Sequence, residues 1–81
     1  MKIQVRLFAA ARQRLGRETI EVWLPPGATL AELRRAIVQS QPELSDLIPR
    51  ALFAIDAEYA SDEVPLSESA EIACIPPVSG G

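Results

Sequence analysis

Residues 2–8 of this chain alternate without a break. Ile3, Val5 and Leu7 project to one side, and Lys2, Gln4, Arg6 and Phe8 to the other. A second run, from Arg17 to Leu24, does the same. Ile20, Val22 and Leu24 share one face, with Glu21 and Trp23 opposite. Two half-buried strands so close in sequence form a hairpin-like unit with one apolar side, and that side must be covered. Between them, Ala9 to Leu15 is rich in alanine and arginine, a helix-forming stretch that Gly16 stops.

The cover comes next. Pro25-Pro26-Gly27 breaks the second strand. Thr29-Leu30-Ala31-Glu32 then has the form of a capping box, with the cap threonine three residues before a glutamate. Leu30, Leu33 and Ile37, supported by Ala36, follow at helical spacing and predict an amphipathic helix of about three turns. Arg34 and Arg35 fall off that stripe and are expected in solvent. Pro42 ends the helix or starts a new turn, and Pro49 limits any helix over residues 44–48. Leu52 to Ile55 reads as a short strand, Asp56-Ala57-Glu58 as a turn, and Tyr59-Ala60 as a short return strand. Glu71 to Ile75 is the last strand, with Ile72 and Cys74 on its core face and Glu71, Ala73 and Ile75 opposite. Pro76 and Pro77 end it, because neither can donate a ladder hydrogen bond. Periodicity alone gives an α+β class; one helix across a mixed sheet is the simplest layered solution, in which strand one is an attractive partner for the last strand.

Composition removes several function classes. Eighty-one residues make one domain, and one cysteine with no histidine excludes an internal disulfide and a thiolate zinc site. No metal is expected. No apolar run is long enough to span a membrane, and the start lacks a signal-peptide core, so the expected setting is cytoplasmic. The net charge of −3 is unevenly spread. Residues 1–41 carry seven Lys/Arg and three Asp/Glu, and residues 42–81 carry one and eight. That balance argues against nucleic acid and suits docking on a basic protein surface. There is no Gly-Lys phosphate loop and no Ser/Cys–base pair, so the chain carries no evident catalytic machinery of its own.

The chain closes with Ile75-Pro76-Pro77-Val78-Ser79-Gly80-Gly81, which holds two of its four glycines. The prolines fix an extended lead-out. The glycine pair, lacking Cβ atoms, is the thinnest strip of polypeptide that can enter a narrow channel. Residues 77–81 could reach about 15 Å beyond a domain formed by residues 1–76. What such an arm presents is the carboxylate of Gly81.

Glu71-Ile72-Ala73-Cys74-Ile75-Pro76-Pro77-Val78-Ser79-Gly80-Gly81 resembles the end of the molybdopterin synthase small-subunit family, which runs E-V-A, two apolar residues, then P-P-V-x-G-G. Leu7-Phe8-Ala9-Ala10-Ala11-Arg12-Gln13-Arg14-Leu15-Gly16 is similar to that family's N-terminal motif. The chain departs from the family at Gln13, where glutamate is common, at Asp56, where asparagine is frequent, and at Ser67-Glu68-Ser69-Ala70, which replaces an Asp-Gly-Asp turn. Ser69 in place of glycine would make a positive φ costly there.

The resemblance implies a β-grasp, ubiquitin-like fold with a mixed sheet of four to five strands on one main helix. It implies a sulfur carrier with no bound cofactor. A partner, an adenylating E1-like enzyme, would use ATP to activate the Gly81 carboxylate, and sulfur would replace AMP to leave a thiocarboxylate. The tail would then enter the synthase large subunit, within a heterotetramer, and donate sulfur to a pterin precursor. Two alternatives share the same tail: a carrier for thiamine or tRNA thiolation, and a ubiquitin-like modifier joined to proteins through Gly81.

Phe8 and Ile75 lie opposite their core stripes. If strand one neighbours the last strand, they form an exposed apolar patch at the root of the tail. With Arg12, which matches a family position, and with Pro76, Pro77, Val78, Ser79 and Gly80, they make up the expected partner-binding set. Cys74 reads as a buried small hydrophobe rather than a sulfur carrier. Trp23 is expected to pack at the sheet edge. Asp62 and Glu63 read as solubilising loop charges.

Overall fold

The computed structural model describes residues 1–77. Five strands form one sheet: β1 (Lys2–Leu7), β2 (Thr19–Trp23), β3 (Leu52–Ile55), β4 (Glu58–Tyr59) and β5 (Ile72–Ile75). Their spatial order is β2-β1-β5-β3-β4. The β1–β5 pairing is parallel and the others are antiparallel, so the sheet is mixed. The expected neighbour relation between the first and last strands is therefore present, and β5 occupies the centre.

Helix α1 (Ala9–Leu15) links β1 to β2 and ends at Gly16, whose left-handed φ of 67° would be strained for a residue with a Cβ. Helix α2 (Leu30–Ser40) is the cover. Glu32 closes its capping box by accepting from the Thr29 backbone N–H at 3.4 Å. Leu30, Leu33 and Ile37 are buried and join Ile3, Val5, Leu7, Ile20, Val22, Phe53, Ile72 and Cys74 in one core. Pro42 and Pro49 each sit in a short 3-10 turn, Pro42–Leu44 and Ile48–Arg50, as residues that cannot extend an α-helix.

Three expectations, those for Arg34, Asp62 and Trp23, are corrected, and the one for Ser69 holds. Arg34 is not a solvated charge. Its guanidinium donates to the Ile48 and Ala51 carbonyls at 2.7 and 2.8 Å and to Asp62 at 2.9 Å. It also lies 4.8 Å from the Phe53 ring centroid. Its side chain is only 19% exposed. Arginine can do this because its planar fork satisfies several acceptors while its face stacks on an aromatic ring. Asp62 is accordingly the partner of that clamp rather than a free loop charge. Trp23 does not pack at the edge; it is among the most exposed side chains. The 67–70 turn avoids positive φ at Ser69, because the Ser67 hydroxyl accepts from the Ser69 N–H at 3.2 Å.

Candidate docking face and tail root

One side of β1, β2, β3 and β5 faces the core, so the outer side of the sheet is fixed by register. Leu7 pairs with Cys74 in the parallel ladder, and the Phe8 N–H donates to the Cys74 carbonyl at 3.2 Å. Phe8 therefore stands beside Ile75. Leu52 faces Ile75 from the other side in the β3–β5 register. Phe8, Ile75 and Leu52 thus form an apolar row across β1, β5 and β3. Phe8 is 37% exposed, Leu52 55%, and Ile75 is half-buried. A second row runs Arg6, Ala73, Ala54 and Tyr59, ending on a tyrosine that is 70% exposed. These side chains make an exposed apolar cluster on one face of a small sheet, a candidate docking surface.

The row sits where the chain leaves the sheet. Pro76 follows Ile75 directly and is buried, so it anchors the segment rather than offering open surface; Pro77 is exposed. Val78, Ser79, Gly80 and Gly81 lie outside the described residues. Arg12 begins one turn after Phe8, and its guanidinium bonds the Glu18 carboxylate at 2.8 Å. Both partners are exposed, so the pair adds little stability and can be exchanged for another carboxylate. The structure thus brings Phe8, Ile75 and the proline lead-out together and leaves Arg12 on the neighbouring helix.

Leu52 and Tyr59 belong to this face, and sequence reasoning did not single them out. In the run Leu-Phe-Ala-Ile every residue is apolar, so alternation cannot show which ones point outward. Only the pairing with β5 does. Arg6 is also part of it, with its guanidinium 5.6 Å from the Phe8 ring centroid, a cation–π contact that steadies the ring.

Cys74 is fully buried in the core, and burial pushes its thiol up to about 11. A thiol held protonated and out of solvent is a poor nucleophile. Among the described residues no cluster of His, Cys, Asp or Glu is placed to hold a metal, and no helix is long and apolar enough to cross a membrane.

A five-stranded mixed sheet in the order β2-β1-β5-β3-β4, covered on one face by α2, is the β-grasp architecture of a ubiquitin-like protein. The chain belongs to the ThiS family, which matches residues 5–81. It is 37% identical over its whole length to the molybdopterin synthase sulfur carrier subunit of Caenorhabditis briggsae, covering 99% of that protein. Among solved structures it is similar to SAMP1 from Haloferax volcanii, with a TM-score of 0.85 and 26% identity over the full length of both chains. It is also similar to a chain in the complex of subunits 1 and 2 of the molybdopterin-converting factor from Helicobacter pylori, with a TM-score of 0.68, 27% identity and full coverage of both.

Proposed function

We propose that this protein is the sulfur-carrier subunit of a molybdopterin synthase and that its reacting group is the Gly81 carboxylate. A carboxylate is a poor acyl donor because its own oxygen is a poor leaving group. An adenylating partner joins the carboxylate oxygen to the α-phosphate of ATP, releasing pyrophosphate. A sulfur nucleophile then forms the C–S bond, and AMP departs with the C–O bonding pair. The resulting thiocarboxylate gives its sulfur to a pterin precursor inside the large subunit, in the expected heterotetramer.

One observation carries the reading. The apolar row of Phe8, Ile75 and Leu52 crosses the sheet beside the Pro76-Pro77 lead-out, the last described residues before the tail. Docking on that row aims the last residues into the partner. The full-length similarity to a synthase sulfur carrier supports the identity of that partner. Deleting Gly81 tests it. The truncated protein should melt with the wild type and transfer no sulfur to the pterin precursor. Undiminished transfer would remove the proposal.

The likeness to SAMP1 supports a second use of the same tail, as a modifier whose activated Gly81 is captured by protein lysines. Conjugates with a Gly81–lysine isopeptide bond in the native host would establish it, and their absence under conditions of active sulfur transfer would exclude it.

A further inference from the structure

On the outer face a cavity of about 120 Å³ opens between the end of β1 and the β3–β4 turn. Phe8, Ala57 and Glu71 form its sides, with Ala54, Ala73 and Arg6 beneath and beside them. Ala54 and Ala73 are paired across β3 and β5, so the floor is two methyl groups. By liquid volume the space holds about four waters. That is also room for one branched aliphatic side chain. Arg6 and Glu71 bring opposite charges to the rim, so the cavity has no net charge with which to recruit an ion. Its chemistry is apolar.

The backbone around this cavity is strained. Among the described residues, three other than glycine have positive φ: Ala9 at 51°, Asp56 at 50° and Ala57 at 69°. Ala57 lines it and Asp56 precedes Ala57 in the same turn, whereas Ala9 lines a separate hollow with Arg12 and Gly16. Left-handed geometry is unfavourable for alanine and free for glycine. The two-residue Asp56-Ala57 loop is of the kind in which Asp-Gly is preferred. It is held by Glu71, whose N–H donates to the Asp56 carboxylate at 3.0 Å and whose carbonyl accepts from the Asp56 N–H at 2.8 Å. Backbone strain persists where the surroundings over-determine a conformation, and it collects at sites that need a fixed shape.

The geometry points to a preset socket. On the docking face, the cavity between Phe8 and Ala57 receives one apolar side chain of the synthase large subunit, and the strained Asp56-Ala57 turn holds it in shape beforehand. This rests on the docking reading above. Alanine at position 57 narrows the backbone's choices in the free protein, so less ordering remains to be done on binding. Glycine would relieve the strain and lose that restriction.

Calorimetric binding to the purified large subunit tests the socket with three variants, each also melted. Ala73→Leu fills the cavity; its melting temperature should stay near wild type while the Kd weakens at least about tenfold. Ala57→Gly should melt a few degrees higher yet bind about threefold more weakly. A purely structural turn would show the first change without the second. Leu52→Asp probes the docking face itself and should weaken binding strongly. If Leu52→Asp weakens binding while Ala73→Leu and Ala57→Gly bind as wild type, the socket is wrong and the docking reading stands. If Leu52→Asp binds as wild type, both are overturned.

Discussion

The two faces of the sheet use the same strands for different ends. On the inner face Ile3, Val5, Leu7, Phe53, Ile72 and Cys74 are buried against α2. On the outer face, Leu52 and Tyr59 are left largely in solvent and Phe8 partly so, although none of the three belongs to the core. Burying a large apolar side chain contributes about 1.5–3 kcal/mol, and an exposed one contributes none of that to the free protein. The comparison teaches that folding sets the inner pattern and leaves the outer one unexplained, which is the opening the proposed docking fills.

Substitutions can break that division. The largest effect is expected inside. Phe53→Ala removes a buried ring and its stacking with Arg34, at a cost of about 3–5 kcal/mol. In a domain this small that approaches the whole stability, and denaturant melts should show a largely unfolded population. Arg34→Ala comes next. It strips charged donors from the Ile48 and Ala51 carbonyls, costing about 2 kcal/mol. Its neighbour Arg35→Ala should fall within about 0.5 kcal/mol, because that side chain is exposed. Phe8→Asp is the outer counterpart: it should weaken large-subunit binding by about tenfold or more with little change in melting. Unfolding instead would place Phe8 in the core.

The smallest effect sharpens the inner face by titration. The Cys74 thiol is raised from 9.0 to about 11 by burial. The folded state therefore keeps its proton where the unfolded state has lost it. The stability from this group is fully present below pH 9.0 and declines as pH rises toward about 11. Cys74→Val should lack that part of the alkaline loss, seen as a smaller fall in the urea midpoint across the same window. Equal losses in both proteins would show that the thiol is not held as described.

The sequence and structure agree where one period governs a segment. β1 and β2 alternate cleanly, and α2 announces itself by its cap and its Leu30–Leu33–Ile37 stripe, so the layered α+β arrangement was legible. The β-grasp order was not; it needed the resemblance, because periodicity does not choose partners for β5. Arg34 misled because its position on the helix wheel says nothing of the 3-10 turn that later folds over it. Leu52 was hidden in a strand apolar on both sides. Ala9 and Ala57 gave no signal, because alanine is chosen freely in most conformations and its strain exists only in the folded backbone. Phe8 and Ile75 were readable together because two regular strands fix their phase.

The central claim is chemical, and mass reads it directly. The protein purified from its native host, with its sulfur-transfer system intact, should contain a fraction heavier by one sulfur-for-oxygen replacement. Fragmentation should place that replacement at Gly81. A protein whose only sulfur additions sit on Cys74, or whose Gly81 carboxylate stays unmodified while the host makes the cofactor, would contradict the account.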